Sequence, residues 1–186
     1  MKRSTLLLVL MAVAQLGVLA WTILGQERIL KQGEVFLFKT APIDPRDPFR
    51  GEYVRLDLEA EEGPWPHPDT TLAFGAPRLY ARLGTDAEGF ARITALHLEP
   101  PTDGPYLKVK AMWWGGEDIP RIMLPFDRYY LQEGDGPKAE KLLQPQWNNS
   151  TWTEALPAHA VVRVLDGEAA VADLIVDGKP LREWLE

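Results

Sequence analysis

Two periodicities divide the chain. Residues 6–24 run nineteen positions without a charge, whereas beyond residue 33 apolar and polar residues alternate in short stretches. A helix of nineteen residues spans roughly 28 Å, close to the apolar thickness of a bilayer. Gln15 is the one strongly polar residue in the run, and Trp21 stands near its far end, where an amphipathic ring suits a membrane interface. The run is apolar on every face, which disfavours a helix packed inside a soluble core. Val18-Leu19-Ala20 offers a signal-peptidase site, so secretion after cleavage near Ala20 is the alternative. The apolar stretch continues through Trp21-Thr22-Ile23-Leu24, past the roughly 7–15 residues that a signal peptide uses. The pattern therefore predicts a transmembrane anchor at residues 6–24 behind a short tail, residues 1–5. Lys2, Arg3 and the amino terminus lie close before the run, and Arg28 and Lys31 follow it. The amine and the nearness of the first pair place residues 1–5 in the cytoplasm and all that follows the helix outside. Residues 25–32 continue the helix as a polar stalk ending near Gly33.

Past the stalk the signals are those of strands. Val35-Phe36-Leu37-Phe38 is β-branched and aromatic, and residues 41–50 form an extended loop set by Pro42, Pro45 and Pro48. Residues 52–59 alternate, with Val54, Leu56 and Leu58 on one face and Tyr53, Arg55 and Asp57 on the other. Three prolines force a loop at residues 63–69. Residues 78–83 and 90–98 make a hairpin turned at residues 86–89. Residues 106–113 form another strand ended by Gly115-Gly116, and residues 121–131 an apolar stretch broken by Pro125. Residues 138–144 read as a short helix and residues 147–153 as a loop. Residues 161–165 and 169–176 flank Asp166-Gly167, the strongest hairpin signal of the chain, and Asp177-Gly178 turns into a last segment, residues 180–184. Eight or so short strands predict a mainly β domain over residues 33–186, sandwich or barrel-like, with one short helix.

One stretch stands apart from ordinary strand and turn patterning. Residues 44–56 read Asp-Pro-Arg-Asp-Pro-Phe-Arg-Gly-Glu-Tyr-Val-Arg-Leu. Prolines fix the backbone, and Gly51 permits close approach or an unusual dihedral at the strand entrance. Five charges, Asp44, Arg46, Asp47, Arg50 and Glu52, fall within nine residues, and Tyr53 points opposite to Leu56. One reading is a recognition site whose arginines pair with an anion. The favoured reading is an internal network of ion pairs and hydrogen bonds that locks the loop onto the strand. The candidate interaction residues are Asp44, Arg46, Asp47, Arg50, Gly51, Glu52, Tyr53 and Leu56.

The same run resembles the GDYXXLXY family, named for a Gly-Asp-Tyr-x-x-Leu-x-Tyr motif. Gly51, Tyr53 and Leu56 match; Glu52 stands in place of aspartate and Leu58 in place of the last tyrosine, so that hydroxyl is absent. The anchor leading into Glu27-Arg28-Ile29-Leu30 is similar too, as is a second segment from Arg128-Tyr129-Tyr130 through Glu133-Gly134 and on to residues 138–140. The resemblance implies a bacterial membrane-anchored protein with a periplasmic domain, of a kind encoded near multi-pass membrane proteins. It implies no reaction.

Composition narrows the chemistry further. The net charge is −7; residues 1–31 carry +3, so the domain beyond carries −10 and should repel nucleic acid phosphates. The absence of cysteine excludes disulfides, thiolate sites and lipidated cysteines. Ser4 and Ser150 are the only serines, and no Gly-x-Ser-x-Gly elbow exists, which argues against a serine hydrolase. His67, His97 and His159 lack metal-ligand spacing, and Asp166-Gly167-Glu168 lacks the other ligands of a calcium loop. The acidic runs at residues 59–62 and 117–118 read as solvated faces. No cofactor, metal site or catalytic motif is expected, and no enzyme. The expectation is an extracytoplasmic accessory or interaction protein that acts with a multi-pass membrane protein and meets the bilayer through residues 6–24. The alternative is a small-molecule or glycan binding module using Trp113, Trp114, Trp147 and Trp152. The orientation has a direct test: a phosphatase reporter fused after Glu186 is expected to be active and a cytoplasm-only reporter silent. The reverse pattern would overturn both sidedness and localisation.

Overall fold

The computed structural model describes residues 3–41, 52–61, 78–112, 121–143, 146–148, 151–153 and 155–186. Helix α1 (Arg3–Gln32) takes in the apolar run and the polar stalk as one element, about 45 Å long at 1.5 Å per residue. Its Ser4–Gln32 portion is long and apolar enough to cross a membrane, and none of its apolar window is buried against the rest of the chain. The elements that follow are β1 (Glu34–Ala41), β2 (Tyr53–Arg55), β3 (Asp57–Leu58), a 3-10 turn (Glu59–Glu61), β4 (Leu79–Thr85), β5 (Ala91–His97), β6 (Tyr106–Met112) and β7 (Arg121–Met123). Then come β8 (Arg128–Tyr130), α2 (Gly136–Leu143), β9 (Gln146–Asn148), β10 (Thr151–Thr153), β11 (Ala158–Leu165), β12 (Glu168–Val176), β13 (Lys179–Pro180) and α3 (Leu181–Leu185).

The domain is mostly β. One sheet has the order β13-β12-β11-β1-β3 and a second β5-β4-β6-β7, with two-stranded ribbons β2-β8 and β9-β10 beside them. Both large sheets turn their apolar faces to one core. Phe36, Phe38, Val162, Leu174 and Val176 come from the first, and Leu79, Leu83, Ile93, Leu107 and Val109 from the second. The sheets are joined at Gly167, which bridges Leu107 in parallel and accepts a hydrogen bond from the Lys108 N–H at 2.9 Å. Asp166 and Gly167 both have positive φ, 53° and 81°, the pair of angles a type I′ hairpin turn requires. Glycine is needed there twice over, since a Cβ on Gly167 would lie 2.5 Å from Cε2 of Tyr106.

Two bulges keep the alternation in phase. Val161 pairs with Asp173 and Val162 with Val171, so Ala172 is an extra residue in β12. Without it, Val171 and Ala169 would face away from the core against which they pack. Thr94 plays the same part in β5, where Arg82 pairs with Ala95 and Leu83 with Ile93. Ile93 and Leu96 are thereby both buried despite their odd spacing.

Two stretches differ from the sequence expectation. Residues 52–59 are two strands: β2 pairs with β8, β3 pairs with β1, and Leu56 between them donates its N–H to the Asp127 carbonyl at 2.7 Å. The alternation is unbroken because Val54, Leu56 and Leu58 stay buried while the strand changes partner. Residues 147–153 contain a ribbon rather than a loop, with Trp147 opposite Trp152 and Asn148 opposite Thr151. The polar Asn-Asn-Ser run hid the β-forming tryptophans and threonines on either side of it. The proline loops at residues 42–50 and 63–69 and the Gly115-Gly116 stop lie outside the described residues.

The junction between helix and domain has no linker. Gly33 donates its N–H to the Ile29 carbonyl at 2.8 Å and its carbonyl accepts from Arg163 Nη1 at 3.0 Å; β1 then begins at Glu34, paired with Val164. Ile29 is buried where α1 meets β11 and β12. A Cβ on Gly33 would lie 2.6 Å from the Ile29 oxygen and 3.0 Å from the Val164 nitrogen, so the close approach needs glycine. Arg28 Nη2 reaches Asp166 Oδ2 at 3.3 Å on the outside, an exposed pair that contributes little by itself.

At the other end of β1 the β4–β5 turn folds over the sheet. Lys39 Nζ lies 2.7 Å from Glu88 Oε2 and 4.7 Å from the centre of the Phe90 ring, whose edge meets His159 at 5.5 Å. Burial holds the His159 imidazole below its ordinary pKa of 6.5. A base whose folded pKa is lowered takes up its proton more readily in the unfolded chain, so acid favours unfolding. Stability is lost as pH falls through 6.5 and stops changing below the folded pKa. Glu61 acts with the opposite sign, since burial raises its carboxyl above the ordinary 4.5. The melting temperature of the parent is expected to fall more than that of His159→Gln between pH 7.5 and pH 5, and the difference cancels Glu61. Parallel melting curves would show that His159 takes up its proton equally in the folded and the unfolded chain.

Candidate functional site

The motif strand and the second family-like segment are neighbours. Tyr53 pairs with Tyr130, Val54 with Tyr129 and Arg55 with Arg128. The ribbon is extended at both ends by backbone bonds, Leu131 N–H to the Glu52 carbonyl at 2.9 Å and Leu56 N–H to the Asp127 carbonyl at 2.7 Å. Cross-strand partners share a face, so the ribbon has an inner side with Val54 and Tyr129 and an outer side with Tyr53, Arg55, Arg128 and Tyr130.

The inner side fixes the ribbon to the domain. Val54 is fully buried, and the Tyr129 hydroxyl donates to Asp173 Oδ1 at 3.2 Å. Asp173, projected by the Ala172 bulge, also accepts the Leu174 N–H at 2.9 Å and pairs with Arg182 Nη2 at 2.9 Å. Burial and the Asp173 carboxylate raise the Tyr129 phenol above its ordinary value of 10.0, so it remains a neutral donor. Glu52, two residues before Val54, ties the ribbon to α2. Its Oε2 accepts the Gly136 N–H at 2.6 Å, at the first residue of α2. A carboxylate there satisfies an otherwise unpaired helix N–H and meets the positive end of the helix dipole. The acidic position of the motif is thus a helix cap, and Leu56, also fully buried, is core.

The outer side is the part of the motif that structure does not consume. Tyr130 is 66% exposed, and its ring lies 6.1 Å from that of Tyr53. The Arg128 guanidinium stands 5.0 Å from the centre of the Tyr53 ring, a cation–π contact. Two arginines face each other across the ribbon, an unfavourable arrangement eased by Asp57, 3.7 Å from Arg55, and Asp127, 3.2 Å from Arg128. Two tyrosines and two arginines on this outer face, Tyr130 and Arg55 exposed and Tyr53 and Arg128 half-buried, form a patch suited to a protein surface, because aromatic and arginine side chains supply most anchoring energy at interfaces.

Of the candidate residues named from the sequence, Glu52, Tyr53 and Leu56 have these three separate places. Asp44, Arg46, Asp47, Arg50 and Gly51 lie outside the described residues. The pattern missed Asp173 and Arg182, because their part depends on a bulge and on a contact 44 residues away in sequence from Tyr129. Trp113 and Trp114 lie outside the described residues as well. Among the described residues, a shallow groove of about 420 Å³ runs along residues 97–103 beside His97, whose Nε2 is buried without a partner. No group of three or more His, Asp or Glu is placed among them to hold a metal ion.

The sequence model of the GDYXXLXY protein family matches residues 15–174, from within the apolar helix to β12. No curated protein and no solved structure matches the chain. The two halves of the motif separate by mutation. Glu52→Ala is expected to lower stability by about 1–2 kcal/mol in urea titration, the usual loss of a charged helix cap. Tyr130→Ala, at an exposed position, is expected to stay within about 0.5 kcal/mol of the parent. The reverse order would mean that Tyr130 holds the fold and Glu52 does not.

Proposed function

The chain belongs to the GDYXXLXY family, and from that membership we propose that it is a membrane-anchored accessory protein presenting its β domain outside the membrane to a multi-pass membrane protein. The observation that carries this reading is the linkerless junction at Ile29 and Gly33. A soluble-ligand binder gains nothing from a fixed height and orientation above a bilayer, and a flexible tether would serve it as well. A domain that must meet one face of another membrane protein gains from both, because confinement and fixed orientation let a weak interface suffice. The outer face of the β2–β8 ribbon, with Tyr53, Arg55, Arg128 and Tyr130, is the surface through which the domain makes that contact. Its arginines stand out on a domain that is otherwise acidic, and an aromatic body beside a guanidinium is the pairing that interface anchors use.

Affinity capture of the tagged full-length chain from detergent-solubilised membranes is expected to recover a multi-pass membrane protein. Tyr130→Ala should lower that recovery about fivefold or more, equivalent to a loss of ~1 kcal/mol, while leaving the chain folded. A six-residue Gly/Ser insertion between Leu24 and Gly25 should also weaken it. Recovery indifferent to both changes would sink the reading, as would saturable binding of a soluble ligand by parent and insertion variant alike.

A further inference from the structure

Gln15 has no structural employment in this chain. It lies at the midpoint of residues 6–24, nine residues from either end, or about 13 Å from each side of the apolar layer. Its side chain cannot reach water from that depth. It is exposed on the helix surface, and no group of the described residues bonds its carboxamide. Thr22, the other hydroxyl or amide inside the run, is satisfied within the helix by the Val18 carbonyl at 3.0 Å. An amide in hydrocarbon is costly unless it is hydrogen-bonded, and in membranes the partner it finds is another helix.

The side on which Gln15 points is decided by the rest of α1. Gln15, Thr22 and Ile29 are spaced by seven, and a straight helix drifts only about 20° per seven residues. All three therefore lie on one side, within roughly 40° of each other. Ile29 is the residue by which α1 is buried against β11 and β12. The domain thus sits over the same side of the helix that carries the unpaired amide.

We propose that the Gln15 side of α1 binds a transmembrane helix of a different membrane protein, through a hydrogen bond at mid-bilayer depth to a polar side chain or an exposed carbonyl of that helix. This rests on the anchored reading above and names the contact. A second copy is excluded as occupant by the position of the domain. Two identical helices joined through Gln15 would stand 8–10 Å apart about a two-fold axis. Each would carry over the seam a domain whose radius of gyration is roughly 15 Å, and both cannot occupy that space. A partner helix with a short external loop fits beneath one such domain, and the domain then contacts the partner just above the bilayer.

The test places a photoreactive residue at Val18 or Leu19, which flank Gln15 on its own side, and at Val13 or Ala20 on the opposite side. The full-length chain is used in its native membranes. Cross-links from the first pair to a transmembrane peptide of another protein are expected, with at most traces from the second pair. Gln15→Leu, which favours insertion, should lower the yield about fivefold or more, and Gln15→Asn should retain it. Equal yields around the helix, yields indifferent to Gln15→Leu, or an adduct of two copies would each overturn the proposal. Alkaline extraction and the mass of the mature chain separate the two readings. A chain released without its first twenty or so residues ends both, whereas an intact, retained chain with no one-sided cross-link ends only this one.

Discussion

The structure depends on a single constraint, the absence of any slack between α1 and β1. Gly33 closes the last helical turn onto Ile29, lends its carbonyl to Arg163, and hands the chain to β1 at the next residue. β1 in turn is the strand through which the large sheet is assembled, since β11 pairs along its first six residues and β3 along its last two. The helix is therefore continuous, by way of one glycine, with the strand that joins β11 to β3 in the large sheet. Motion of the helix about its own axis is motion of the sheet. That is why the azimuth of a residue inside the apolar run, an otherwise arbitrary quantity, acquires meaning for the domain.

Much of this was legible in the sequence. The apolar run, the Asp166-Gly167 turn, the short helix α2 and the alternation of Val54, Leu56 and Leu58 each rest on local rules of length, period or turn chemistry, and the mostly β class follows from their sum. What was not legible depends on partners distant in sequence. The change of partner between β2 and β3 leaves no mark on the alternation, because buried positions stay buried whichever strand lies alongside. The bulges at Thr94 and Ala172 shift the phase of otherwise regular strands, and their positions are set by the pairing rather than by any residue preference visible at those sites. The β9–β10 ribbon was obscured by an Asn-rich connection that reads as loop on composition alone.

The motif was legible as a unit but not as a division of labour. Its residues alternate across one short strand, and structure assigns the alternate positions to different tasks. Val54 and Leu56 are core. Glu52 reaches 84 residues along the chain to cap α2. Tyr53 is turned outward with Tyr130 and two arginines. A motif defined by adjacency thus mixes residues that hold the fold with one that the fold presents. The pairing of Tyr53 with Tyr130 explains why the family-like features fall in two separated segments: they are the two strands of one ribbon, held to the domain from beneath by Tyr129 and Asp173.

The replacement of the last motif tyrosine by Leu58 bears on which of these tasks matters most. Leu58 is 3% exposed and lies in the common core, next to the point where β3 meets β1. A phenol there would need a hydrogen-bond partner at the edge of the core or a route to solvent, and leucine removes that requirement without disturbing the alternation. The substitution therefore falls on the buried side of the strand, where one large apolar body can stand in for another. Tyr53 is on the opposite side, where no packing requirement calls for an aromatic ring. Its ring is held by Tyr130 and Arg128, both also outward, so the three retain one another's orientation without contributing to the core. Side chains kept rigid at a surface that the fold does not need are already in the arrangement that binding would otherwise have to impose, and the entropy of ordering them is not charged to the interface.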